Sequence, residues 1–269
     1  MTDDRSSSDL RTVISPKWLG QVAHLRSSFD TAAPFPHVVL DDFLVESQAQ
    51  AMLEEFPAIA VMPQSRDYVF GDKRELSSLE QAGPACVRYY EAMTSQDFAA
   101  FLGDLTGLPL FVDPDFHGGG FHQGGDGSFL DMHVDFNIHP MHGNWQRMLN
   151  ILLYLCPDWN PEYGGDLQIK SRIEEEPTSI ALGFNRAVIM LTADNTYHGF
   201  RKMHPPAGVT RKSIATYAYQ MVSNSDVVAH TTRWVPEDAS VTKRILARHY
   251  DTVVRIKQRV FASRTARNR

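Results

Sequence analysis

Between Leu110 and Gln220 the chain breaks into short β-like runs separated by Gly, Pro and Asn, and this punctuation is its most restrictive feature. The runs are Ser128–Asp135, Arg147–Leu155, Asp166–Lys170, Arg186–Leu191 and Val209–Gln220. Strands this short and this evenly spaced cannot each bury a face alone, so they predict a sandwich or barrel of jelly-roll character. No solenoid-type repeat is present. Upstream, HVVLDDF after Pro36 reads as a strand, and Ala49, Met52, Leu53 and Phe56 fall at helical spacing within Glu46–Phe56. A second helical region spans Leu79 to Leu105, broken near Pro84 and ending around Gly107. The expected class is therefore α+β with a mainly β core, a double-stranded β-helix of cupin-like, jelly-roll form flanked by N-terminal helices and a C-terminal helix.

The expected organisation has three parts: a polar N-terminal tail over 1–34, a domain over 35–222, and a basic helical extension over 223–269 packed on that domain. Pro236 suits the first turn of a final helix running to about Arg259. Residues 243–269 hold nine Lys or Arg against the single acid Asp251, a net +8, while the rest of the chain carries −14. A run like this is ordinarily a solvated helix face, with docking to an acidic partner as the alternative. The net charge of −6 disfavours a general grip on nucleic acid. No apolar run approaches the ~18 residues of a membrane span, and the opening MTDDRSSSDLRT lacks the pattern of a secretory signal. With Cys86 and Cys156 as its only cysteines, the chain has no disulfide framework or cysteine-rich zinc site, and a cytoplasmic location is expected.

The chemistry is concentrated around His133-Val134-Asp135. Residues two apart on a strand point to one face, so an imidazole and a carboxylate project together. One further imidazole would complete a facial set that leaves three positions of an octahedral Fe(II) open. His198, 63 residues beyond Asp135 and just past the apolar run AVIML, is the candidate. By itself a His-x-Asp triplet also occurs as a surface hydrogen-bonded pair. Arg211, thirteen residues after His198, adds weight because Arg211, Ser213, Ala215 and Tyr217 share one strand face. A guanidinium buried there needs a carboxylate, whether from a small dicarboxylate or from an internal Asp or Glu. In RMLNILLYL, alternation places Asn150, Leu152 and Tyr154 on one face and Leu149, Ile151, Leu153 and Leu155 on the other. The amide and the phenol make the first face a candidate cavity wall, with a core-edge tyrosine as the alternative.

HVDFN, then YLCPDWNPEYGGDL, then NTYHGF and RKSIATYAY resemble the Fe(II)- and 2-oxoglutarate-dependent dioxygenases of the prolyl 4-hydroxylase-like superfamily, over about residues 36–220. The resemblance implies His133, Asp135 and His198 as iron ligands. It implies Arg211 and Tyr154 on the distal carboxylate of 2-oxoglutarate. Gln123, ten residues before His133, falls where relatives place a cosubstrate contact, and Ser213, Asn150 and Tyr217 are further pocket candidates. Because Asp135 occupies the position that is small in related iron halogenases, hydroxylation is expected over halogenation. The implied reaction hydroxylates an unactivated C–H bond of a small molecule, or of a peptidyl residue, with Fe(II), 2-oxoglutarate and O2, ascorbate being an optional addition, and releases succinate and CO2. A non-redox jelly-roll module binding a metal or a sugar is the alternative, since a His-Asp-His set also holds zinc.

Two loops remain. NIHPMHGNW carries His139 and His142, either as plain loop histidines or in a substrate lid with Phe136, Asn137, Trp145 and Arg147. The segment Met62–Leu76, with Arg66, Tyr68, Phe70, Lys73 and Arg74, is either a substrate cover or a solvated loop. Gly118–Gly120, between His117 and His122, lacks the spacing and the Lys-Ser or Lys-Thr ending of a phosphate-binding loop.

Overall fold

Every strand pairing among the described residues is antiparallel, and most join strands that are not consecutive in the chain, as a jelly-roll arrangement requires. The computed structural model describes residues 10–64, 69–172, 176–223, 227–236, 241–248 and 250. In chain order its strands are β1 (His37–Asp41), β2 (Gly71–Asp72), β3 (Arg74–Leu76), β4 (Phe111–Val112), β5 (Gly120–Gly124), β6 (Phe129–Val134), β7 (Trp145–Leu155), β8 (Leu167–Ser171), β9 (Thr178–Ile180), β10 (Phe184–Leu191), β11 (Thr196–Phe200), β12 (Arg211–Met221) and β13 (Arg233–Trp234). The larger sheet has the order β1-β10-β7-β12-β5-β3, with β4 also on β12. The smaller has the order β13-β6-β11-β8-β9, with β2 also on β6. The expected mainly β jelly-roll core with flanking helices is present, as two open sheets rather than a closed barrel.

Alternation along β7 decides what each face of the larger sheet does. Leu149, Ile151, Leu153 and Leu155 are buried in one apolar cluster with residues of the helical layer, among them Phe98 and Leu102. That layer comprises α1 (Leu10–Val13), α2 (Pro16–Leu19), α3 (Val22–Thr31), α4 (Glu46–Glu54), α5 (Pro84–Met93) and α6 (Gln96–Thr106). Pro84 opens α5 in its first turn, where the missing N–H costs nothing. Ser95 caps α6 by accepting from the Phe98 amide, and Gly107, at φ 76°, supplies the left-handed residue that ends it. The opposite face of β7 meets the smaller sheet. There Tyr154, Cys156, Leu167, Ile169, Val188 and Met190 form a second apolar cluster, which seals one end of the space between the sheets.

The segment expected as a polar tail instead carries α1, α2 and α3, and Leu10, Val13, Ile14, Leu25 and Phe29 join the main core. Its apolar positions are too sparse and its helices too short to show periodicity, so only the tertiary partner makes them helical. At the other end, β13 pairs with β6 and α7 spans Val241–Arg248, while residues 237–240, which would join Pro236 to it, lie outside the described residues. Lys243 of α7 reaches Asp131 at 2.6 Å. Most of the expected basic helix, residues 251–269, lies outside the described residues. Among the described residues no helix is long and apolar enough to cross a membrane.

Candidate active site

β6 and β11 lie side by side with His133 opposite His198 in the register. Asp135 follows the last residue of β6, two positions beyond His133 and on the same face. The three side chains each offer a ligand atom, and these atoms lie within 4.8 Å of one another. The two imidazole Nε2 atoms are each 3.6 Å from an Asp135 oxygen. His133 Nδ1 lies 2.9 Å from the Asp131 carbonyl, a contact that places its proton on Nδ1 and leaves the Nε2 lone pair for the centre. His198 is pushed down to about 3, first by burial and then by His133 beside it, so its ring is neutral near pH 7. Burial alone would raise Asp135, but Arg147, His198 and His133 outweigh it and hold the carboxyl well below the usual range. Two imidazoles and one ionised carboxylate form a donor set suited to a divalent cation.

The facing wall comes from β7 and β12. Asn150, Leu152 and Tyr154 line the cavity with Arg211, Ser213 and Tyr217, the faces that alternation assigns to it. Arg211 is buried; its Nε donates to the Gly165 carbonyl at 2.9 Å and its Nη2 to the Tyr154 hydroxyl at 3.3 Å. Gly165, at φ 80°, turns that carbonyl toward the guanidinium in a conformation few other residues adopt. The Phe200 ring covers the guanidinium at 4.1 Å. Among the described residues no carboxylate forms a salt bridge with Arg211, which lines the cavity. The cavity measures about 660 Å³, within the size range of small-molecule sites.

One expectation is corrected and two are refined. Gln123 points to the opposite face of β5, where its amide donates to Thr210 at 2.8 Å beside a separate groove. His122 faces the cavity in its place, because β12 pairs Ser213 with His122 and Lys212 with Gln123. Burial, reinforced by Lys73 at 3.3 Å, drives His122 down to about 3. Asn150 does lie in the cavity wall, yet its amide donates to Asp135 at 2.7 Å and approaches His198 at 3.3 Å rather than reaching toward Arg211. Finally, the histidine loop is mostly structural. His139 is buried against Asp113 at 3.3 Å, and the Trp145 ring stacks on His142 at 3.9 Å. Asn137 bonds the backbone at Val228 and His230. Of that loop group only Phe136 and Arg147 line the cavity.

Trp234 carries no signal in the sequence pattern, and Arg147 is expected there only as a member of a loop lid. Trp234 of β13 stacks on His133 at 4.7 Å and on Phe70 at 4.9 Å, bringing the C-terminal segment to the wall. Arg147 reaches the cavity through a bulge: the register passes from Ala218–Leu149 to Tyr219–Arg147, so Met148 is an extra residue on β7 and the parity beyond it reverses. In the Met62–Leu76 loop, Lys73 pairs with Glu75 at 2.9 Å on the rim, while Arg66 and Tyr68 lie outside the described residues.

Residues 119–219 match the family described as the 2OG-Fe(II) oxygenase superfamily. No curated protein matches the sequence. Among solved structures, a prolyl 4-hydroxylase from Pseudomonas putida is 18% identical with a TM-score of 0.54, over 75% of this chain and 100% of its own. A prolyl hydroxylase from Trichoplax adhaerens, in complex with a hypoxia-inducible-factor peptide fragment, is 15% identical with a TM-score of 0.54, over 78% of this chain and 95% of its own. HygX from Streptomyces hygroscopicus, with nickel, 2-oxoglutarate and hygromycin B bound, is 13% identical with a TM-score of 0.51, over 73% of this chain and 86% of its own. At these identities the likeness is one of fold. The matched segment contains His133, Asp135, His198, Tyr154 and Arg211, the residues gathered around this cavity.

Proposed function

We propose that the protein is an Fe(II)- and 2-oxoglutarate-dependent dioxygenase that hydroxylates an unactivated C–H bond of a small molecule, with release of succinate and CO2. His133, Asp135 and His198 would hold the iron. Arg211, with Tyr154 and Ser213, would hold the distal carboxylate of 2-oxoglutarate. The observation that carries this reading is the pairing, in one cavity, of a clustered His-Asp-His set with a buried Arg211 that has no acid partner among the described residues. A zinc or sugar module has no use for that second feature. Iron, 2-oxoglutarate and O2 together supply the oxidant.

The chain's own residues supply placement. Arg211 offers the N–H groups left after Gly165 and Tyr154, in a planar fork suited to a carboxylate. Leu152, Leu167 and Phe200 give the cavity apolar surface that keeps water from the reacting region. The Trp234 and Tyr217 rings and the Lys73–Glu75 pair form the remaining wall, where the prime substrate would lie. A small molecule suits a cavity of about 660 Å³ that 2-oxoglutarate must share. HygX was solved with hygromycin B and the Trichoplax enzyme with a peptide fragment, and the first of these supports the small-molecule reading. We place the protein in the cytoplasm, where free, buried cysteines such as Cys86 and Cys156 are the norm.

The test is anaerobic addition of Fe(II) and 2-oxoglutarate, monitored by the visible charge-transfer band of their complex, followed by admission of O2 and assay of succinate. Wild-type protein is expected to show the band and to form succinate, and the double variant His133→Ala/His198→Ala neither. No band with wild-type protein, or an equal band in the double variant, refutes the assignment. A metabolite pool screened for a mass gain of one oxygen then identifies the substrate.

A further inference from the structure

Asp135 is engaged unequally at its two carboxylate oxygens. Oδ2 accepts from Asn150 Nδ2 at 2.7 Å and lies 3.1 Å from Arg147 Nη1. Oδ1 faces His133 Nε2 at 3.6 Å, and Oδ2 also lies 3.6 Å from His198 Nε2. Arg147 itself is unusual, being 1% exposed and among the largest fully buried side chains of the protein. Its guanidinium is clamped between the rings of Phe136 and Tyr217, each 3.7 Å from its central carbon. None of its three nitrogens makes an aligned hydrogen bond, so the ion pair with Asp135 is its charge partner among the described residues. Burying a guanidinium this completely is expensive, and two aromatic faces and one carboxylate are what offset it here. A bulge at Met148 is also required to turn it inward, since plain alternation along β7 would point it away.

We propose that Arg147 is a positioning residue for Asp135: with Asn150 it reserves Oδ2, so that Oδ1 alone is offered to the metal. The inference rests on the reading of His133, Asp135 and His198 as the iron ligands. Its consequence is stereochemical. A carboxylate can bind a cation through one oxygen or through both, and with two imidazoles the first mode leaves three of six octahedral positions open, the second only two. A chelating 2-oxoglutarate uses two positions, so a place for O2 exists only in the first mode. Arg147 holds that mode from outside the ligand set, and the ring sandwich fixes the plane of its fork. A lysine would carry the charge without the plate that the two rings grip.

The test uses the full-length protein with Co(II) as the spectroscopic probe, and Fe(II) for turnover. Arg147→Met keeps the length and the apolar packing between the rings but removes the charge and the donors. The expected result is a Co(II) complex that still binds 2-oxoglutarate within threefold of wild type, with visible bands altered in position or intensity. At saturating 2-oxoglutarate its succinate formation should fall at least tenfold, with the KM for 2-oxoglutarate held within threefold. Arg147→Lys should recover part of the rate. If the role were packing alone, Arg147→Met would keep the wild-type bands and rate. An unaltered spectrum in the folded variant, or an effect confined to the KM for 2-oxoglutarate, overturns the proposal. Should Arg147→Met not fold, Asn150→Ala decides by the same two readouts, because it frees the same oxygen from the other side. Failure of the iron assignment is distinguishable: wild-type protein would then not bind one Co(II), or His133→Ala/His198→Ala would bind it equally well.

Discussion

Replacing Arg211 should weaken 2-oxoglutarate binding while sparing the metal, and the size of the effect follows from where the side chain sits. Arg211 is 6% exposed, tied at Nε to the Gly165 carbonyl and at Nη2 to the Tyr154 hydroxyl, with Phe200 against its face. A carboxylate brought to this guanidinium loses its water and gains a charge-assisted pair. Truncating one partner of such a buried pair costs about 2–5 kcal/mol. At about 1.4 kcal/mol per decade, Arg211→Met should therefore raise the Kd for 2-oxoglutarate about 30-fold to several thousand-fold. Arg211→Lys keeps the charge but cannot hold Gly165 and the ligand at once, and the loss of one charged hydrogen bond, about 1.5–3 kcal/mol, predicts an increase of about 10- to 150-fold. Calorimetric titration of 2-oxoglutarate into Mn(II)-loaded protein measures both variants. Arg211 is not among the groups that face Asp135, so the Kd for Mn(II) without 2-oxoglutarate should stay within about threefold of wild type. Tighter binding than these limits in Arg211→Met, or an equal loss of Mn(II) affinity, would refute the carboxylate-anchor reasoning.

Two further predictions concern stability. Asn185, fully buried at φ 55°, accepts from the Leu44 amide at 2.8 Å and donates to the Leu44 carbonyl at 2.9 Å. Asn185→Ala strands both backbone groups at about 1–3 kcal/mol each, so chemical denaturation should show a loss of about 2 kcal/mol or more, and a change below about 0.5 kcal/mol would dismiss that clamp. His122 is held neutral, with a folded value of about 3 against 6.5 for an ordinary imidazole. Its unfolded form therefore binds a proton that its folded form refuses; it contributes nothing to the pH dependence above 6.5 and destabilises the fold progressively as pH falls from 6.5 toward 3. His122→Gln should flatten the slope of unfolding free energy against pH in that window, and an unchanged slope would count against a neutral buried ring.

Much of the site can be read from spacing alone, because a strand's two-residue period is local. His133 with Asp135, Asn150 with Tyr154, and Arg211 with Ser213 and Tyr217 each share a face for that reason, and all line the same cavity. Gly107 and Pro84 likewise mark their helix ends through backbone properties that belong to single residues. What local pattern cannot supply is the phase of a strand relative to its neighbours. His122 rather than Gln123 faces the cavity because of the pairing with β12, and Arg147 turns inward because one extra residue on β7 shifts the register against that same strand. Partners distant in sequence are equally invisible: Trp234 reaches His133 from a strand about a hundred residues downstream, and helices α1 to α3 form because a core built by later residues receives them. The amino-acid order thus determined which side chains travel together on each short strand, since that depends only on alternation. The packed structure alone decided how those strands slide against one another, and hence that Asn150 and Arg147 both meet the same oxygen of Asp135, because hydrogen-bond register is a property of two strands and never of one.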